Sequence, residues 1–354
     1  MKKSMAILTG VLLLLSLTAC GPKGEPAVQQ ETAAPIPAAT KAPKSETQAV
    51  RQVGAYAVVV NEGSRKDTYP YMVQTEHSTW LLAKDDLTLM GEETFYAGLA
   101  DILQYVDADM ADAQKALAGR IPAQIPPVEI RTDFCGKAEI SQSTGAYYNS
   151  LANMIKLFHS WEMARESLLH EYVHYLTFHC AEKKTVIGFY TEAVAEYVSK
   201  ILCENRMMRS MDPAQAYGPE IVAAMRAWGV WDEALGGPDY IKSALCESDA
   251  FARGLYDDVS YLCVGQFMFS RIADRRLPEH LDQLCYGEAA SLALYLMETY
   301  GVDTFLDNWD LPGDKVAELY GLSETELLTA WSEWNAEQCE KLGIRMEFAA
   351  IREY

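Results

Sequence analysis

The sequence predicts an α+β protein with a mixed first half and a helical second half. Short runs rich in β-branched and aromatic residues are confined to the region before Ser160. One long apolar stripe with intervals of three and four lies among them, and beyond Ser160 the signals are helical. Strands and one helix followed by helices alone mark an α+β arrangement rather than alternating βα units. The chain has 354 residues, 49% hydrophobic and 23% charged, which suffices for a sizeable core.

Residues 1–19 read as a targeting segment outside the fold: Lys2 and Lys3 precede an apolar stretch from Met5 to Leu17. Leu17-Thr18-Ala19-Cys20-Gly21 sets small residues before a cysteine and resembles the lipobox of bacterial lipoproteins. That resemblance implies lipidation of Cys20 and a body held at the membrane of the cell envelope, facing away from the cytoplasm. A plain secretory signal with an incidental cysteine is the alternative. Residues 20–52 are rich in Pro, Ala, Thr, Gln and Lys, and are expected to form a disordered tether. Fully extended, such a tether reaches at most about 100 Å.

The globular body starts at residue 53, with a mixed subdomain expected over 53–210 and a helical one over 211–354. Ala57 to Val60 and Ser78 to Leu82 suit strands. Phe95, Leu99, Ile102, Leu103, Val106, Met110, Ala113 and Leu117 mark one face of a long helix over 92–118. The prolines at 122, 126 and 127 stop it. Val128 to Phe134 alternates as a half-buried strand, and Tyr147-Tyr148 and Met154 to Phe158 are further strands. Ser160 can cap a helix starting at Trp161. A second helix is expected from about Phe189 to Met207, and Ser323 with Glu326 forms a capping box near the end.

A formal charge of −20 disfavours nucleic-acid binding, which needs clustered positive charge, and electrostatic docking to an anionic membrane. After the leader no apolar run approaches the roughly 20 residues of a spanning helix. Membrane contact is therefore expected only through the lipid at Cys20. Of eight cysteines, seven remain once Cys20 is set aside. An odd number leaves at least one unpaired within the chain. No C-x-x-C occurs, and most of the seven read as buried thiols.

Six histidines are present, and two of them stand in His170-Glu171-Tyr172-Val173-His174. Residues four apart share a helix face, so two imidazoles can hold one metal ion. Glu171 then flanks the ion, where a carboxylate can take a proton from an activated water. The surroundings Leu168, Leu169, Tyr172, Val173 and Leu176 are apolar. Two histidines and a glutamate on a buried helix need partners, and a metal supplies them. A catalytic zinc needs a third protein ligand. The next helix offers Glu192 and Glu196, with 17 residues between His174 and Glu192, enough for a helix end, a turn and an antiparallel return.

At this point the chain resembles the gluzincin zinc metallopeptidases, of the aminopeptidase and thermolysin-like superfamily. Their third ligand is a glutamate about that far downstream, in a run comparable to Tyr190-Thr191-Glu192-Ala193-Val194-Ala195-Glu196-Tyr197. The resemblance implies one Zn2+ per chain on His170, His174 and Glu192, Glu171 as general base, and Glu196 orienting a histidine from behind. Tyr286-Gly287-Glu288-Ala289-Ala290-Ser291, followed by Tyr295-Leu296 and Tyr300-Gly301, is similar to a second stretch of such peptidases. There it implies an oxyanion-stabilising role for Tyr286. It also implies a zincin fold: an N-terminal mixed sheet with the active helix, then an all-helical C-terminal subdomain.

One departure narrows the activity. Gly145-Ala146-Tyr147-Tyr148-Asn149 has Tyr148 where aminopeptidases of the family carry the glutamate that binds a free α-amine. Exopeptidase action is therefore disfavoured. Gly145, Ala146, Tyr147 and Tyr148 are expected to form an edge strand for an extended peptide substrate. His159 and His179 read as structural or surface residues, and His77 and His280 carry no signal. The expected function is a lipid-anchored zinc endopeptidase. Two alternatives stay open: a non-catalytic binding lipoprotein on a peptidase-like fold, and a zinc hydrolase of another amide bond.

Overall fold

The computed structural model describes residues 49–135, 145–186, 189–212, 219–252 and 284–345. The leader, Cys20, most of the tether, His280 and two cysteines, Cys263 and Cys285, lie outside the residues whose side chains are described.

Seven strands form one mixed sheet in the order β1-β2-β3-β4-β5-β7-β6. They are β1 (Ala49–Val53), β2 (Tyr56–Val60), β3 (Tyr71–Gln74), β4 (Ser78–Leu82), β5 (Val128–Thr132), β6 (Ala146–Asn149) and β7 (Met154–Leu157). The first four make an antiparallel meander. β4, β5 and β7 run parallel, and β6 returns antiparallel to β7 as an edge strand. A parallel β4–β5 pair needs a long crossover. Helices α1 (Lys84–Met90), α2 (Glu92–Leu103) and α3 (Val106–Ala116) supply it.

The expected apolar stripe over 92–118 is wholly buried, but the single helix expected there is two. The chain breaks at Gln104 and Tyr105. Just past the break, the Asp107 carboxylate accepts from the Thr75 hydroxyl and the Glu76 and His77 amides. A break that keeps the apolar phase leaves no mark on the spacing. The tether expectation is corrected at its end, because β1 begins at Ala49. Arg51 pairs with Glu93 and lies over the Tyr96 ring, 4.6 Å from its centroid. These long-range partners, and backbone pairing with β2, order a stretch whose composition alone would not.

Helix α4 (Trp161–His174) begins as expected, with Ser160 Oγ accepting from the Met163 amide at 3.3 Å. It runs on into a π-helical turn, Tyr175–Cys180. Helix α5 (Phe189–Tyr197) does the same through Val198–Leu202. It therefore stops short of the expected Met207. Asn205 takes a left-handed conformation (φ 47°) and caps the short α6 (Arg206–Arg209). The rest comprises α7 (Pro219–Ala227), α8 (Tyr240–Ala252), α9 (Leu284–Tyr300), α10 (Val302–Leu306), α11 (Val316–Leu319) and α12 (Glu324–Leu342). The expected Ser323–Glu326 capping box opens α12. The second half is not wholly helical: β8 (Trp231–Asp232) pairs with β9 (Gly237–Pro238).

One buried apolar cluster extends from Val53 to Ile344 and includes residues of the sheet, α4, α5, α8, α9 and α12. The two expected subdomains thus share a core. Five described cysteines are free thiols, three of them buried: Cys203, Cys246 and Cys339. Among the described residues no helix is long and apolar enough to cross a membrane.

Candidate metal centre

Close packing sets α4 against the sheet edge. Gly145 enters β6 so near to α4 that a Cβ there would meet the Met163 carbonyl oxygen at 2.2 Å. On α4's far side, Gln114 of α3 donates to the Tyr172 hydroxyl at 2.7 Å. From Glu166 to His174 every α4 residue is buried. Both histidines therefore project into protein, not solvent.

Helix α5 brings Glu192 to them. Its Oε2 lies 3.2 Å from His170 Nε2 and 3.6 Å from His174 Nε2. All three donor atoms fall within 4.8 Å of one another, and all three side chains are buried. Two imidazoles and a carboxylate are a usual zinc donor set with one position left open. Bonds of about 2.0–2.1 Å to a tetrahedral ion put donors roughly 3.3 Å apart, which both His–Glu separations match closely. The residues present fit a zinc ion.

The charges agree. Burial would raise the Glu192 pKa, but the His174 charge and hydrogen bonds from both imidazoles outweigh it and hold the carboxyl well below its ordinary range. Burial would lower that of His170, yet bonds to Glu192 and Glu196 lift it to about 10. A carboxylate that attracts cationic partners this strongly also suits a metal cation.

Glu196 sits one turn on, as expected. Its Oε1 meets His170 Nδ1 at 2.9 Å, on the ring nitrogen away from Glu192. Glu171 is fully buried, and its Oε2 accepts from the Tyr148 amide at 2.6 Å. This bond couples the centre to edge strand β6. It also means that the Tyr148 N–H, one of the edge groups expected to serve a substrate, is already engaged. Tyr286, at the start of α9, presents its buried ring edge-on to His170, with centroids 6.1 Å apart.

The other described histidines stand elsewhere. His77 contacts Gln114 at 3.2 Å. His179 contacts Asn153 at 3.2 Å and stacks on Tyr175. His159 adopts a left-handed backbone (φ 64°) beside Phe158.

Sequence reasoning missed what lies behind Glu196. Lys200 Nζ sits 2.8 Å from Glu196 Oε2, and both are buried. Glu166 of α4 and Glu247 of α8 are buried near this pair, and Glu288 of α9 is buried where it feels Glu247. Burial lifts Glu166 and Glu247 to about 8 and Glu288 well above its ordinary range. The i,i+4 spacing of Glu196 and Lys200 was a readable signal. The meeting of α4, α8 and α9 was not.

No protein-family model matches the chain, and neither the curated proteins nor the solved structures searched contain a match.

Proposed function

We propose that this chain is a zinc-dependent peptidase, a lipid-anchored relative of the gluzincins that cuts peptides internally. The observation that carries the reading is the convergence of His170, His174 and Glu192 beside Glu171. Three donors of the right chemistry share one point, and a buried carboxylate from the residue after His170 lies on the same helix.

A zinc ion held there supplies Lewis acidity toward water and a substrate carbonyl. His170, His174 and Glu192 fix its position, and Glu196 fixes the orientation of His170. Glu171 takes the proton of the attacking water and later delivers it to the leaving amine. Its carboxylate is steered by the Tyr148 amide, so the base and the substrate-side strand move as one unit. Tyr286, whose ring packs against His170, would offer its phenol hydroxyl as a hydrogen-bond donor to the developing oxyanion. The remaining edge groups of β6 offer an extended peptide backbone pairing. Tyr148 carries no charge for a free α-amine, which favours internal cleavage. The lipobox-like leader and Cys20 support a lipid-anchored position in the bacterial cell envelope, facing away from the cytoplasm.

The deciding experiment is Glu171→Gln. Variant and parent alike should bind about one zinc per chain, and the variant should lose about 10²–10⁴ in hydrolytic rate on a peptide library. Full activity in a zinc-loaded variant would sink the mechanism. Zinc binding without hydrolysis of any peptide by the parent would instead favour a binding lipoprotein.

A further inference from the structure

We propose that Lys200 is a positioning residue for His170, acting through Glu196; the inference rests on the zinc reading above. Three contacts form one line. Lys200 Nζ meets Glu196 Oε2 at 2.8 Å, Glu196 Oε1 meets His170 Nδ1 at 2.9 Å, and His170 Nε2 faces Glu192 at 3.2 Å. A carboxylate alone could turn either oxygen toward the imidazole, or tilt off it. With Oε2 engaged by the ammonium, Oε1 is left for His170, and the plane of the carboxylate is set. The ring then carries its proton on Nδ1 and keeps Nε2 free for the metal.

Stability is a poor alternative account of this lysine. Burying an ammonium and a carboxylate costs several kcal/mol per ion, and replacing such a pair by apolar residues is often neutral or stabilising. Yet Lys200 is buried, in the π-helical turn Val198–Leu202. Turns of that kind are rare and concentrate at functional sites. Among the described residues its close partner is Glu196. Glu166 and Glu247 act on Lys200 electrostatically, but the ion pair it makes is with Glu196. Lys200, Glu196, Ser243, Glu247 and Gly287 line a small cavity between α5, α8 and α9. The ammonium is thus held between the helix carrying the third ligand and the helix carrying Tyr286.

The test measures metal binding, not turnover. Zinc affinity of the purified chain and of Lys200→Met is determined by chelator competition, and each protein is also loaded with Co2+ for its visible spectrum. Lys200→Met should bind zinc about 10–100-fold more weakly, with a shifted cobalt band that reports a reoriented ligand. Glu196→Gln should show a similar loss, and the double variant should be little worse than Glu196→Gln alone. Should Lys200→Met not fold, Lys200→Gln, which keeps one N–H donor for Glu196, is compared with Lys200→Arg in the same way. Weaker binding by the Gln variant, with the Arg variant nearer the parent, supports the inference. A lower unfolding midpoint with zinc affinity within about twofold of the parent and an unchanged cobalt spectrum overturns it. A parent chain that takes up no zinc overturns the peptidase reading itself, which separates the two failures.

Discussion

The two sides of His170 are equally buried and chemically opposite. On its Nε2 side, two imidazoles converge on the single carboxylate of Glu192, which is held ionised. On its Nδ1 side, beyond Glu196, two further glutamates act on one lysine and a third acts on Glu247, and burial drives Glu166, Glu247 and Glu288 toward their neutral acids. Burial itself pushes every one of these carboxyls upward. What differs is the supply of partners. Glu192 has two ring nitrogens within 3.6 Å, and Glu196 has an ammonium and a ring nitrogen. Glu166 Oε1, Glu247 Oε1 and both oxygens of Glu288 have no hydrogen-bond partner among the described residues. The near side therefore offers an ionised donor set that suits a cation, and the far side holds protons and one ion pair.

The sharpest way to break this comparison is on the near side. Removing one donor with His174→Ala should abolish stoichiometric zinc binding, from about one ion per chain to little, as read by elemental analysis. A variant that kept its zinc would place the metal elsewhere and dissolve the distinction.

The far side has a pH signature. The folded-state pKa of Glu247, about 8, lies above its ordinary 4.5. The folded state therefore holds a proton that the unfolded chain releases. The stability from this group is fully present below about 4.5 and is lost as pH rises through about 8. Urea unfolding of the metal-free chain should show stability falling across that window. Glu247→Gln should flatten part of the fall and cost little near pH 5, since an amide replaces a neutral acid. An unchanged slope would mean that Glu247 is ionised in the fold, and the contrast would be lost.

The smallest effect concerns the start of the helix that carries both histidines. Ser160→Ala removes the side-chain cap of α4 and should cost about 1 kcal/mol of unfolding free energy. Zinc affinity should stay unchanged, because the histidines lie at the other end of α4 and are fixed by tertiary packing. Weaker zinc binding in this variant would show that the helix end transmits to the site.

Local physics made much of this molecule legible in advance. Two imidazoles four residues apart share a helix face whatever the rest of the chain does, so His170, His174 and the flanking Glu171 were readable. So were the Ser160 and Ser323 caps, whose partners lie within three residues, and the buried stripe from Phe95 to Leu117. Glu192 and Glu196 were reached through the resemblance to the gluzincins, for which the spacing from His174 to the next helix left room. Other features depend on groups distant in sequence. β1 is ordered by β2, Glu93 and Tyr96. The break after Leu103 precedes Asp107, which binds the β3–β4 turn. The bond from the Tyr148 amide to Glu171 joins residues 23 apart, and the acids around Lys200 come from α4, α5 and α8. Periodicity and spacing describe how one element presents its faces. Which faces meet, and so which buried acid finds a cation and which keeps its proton, was decided only when the helices packed.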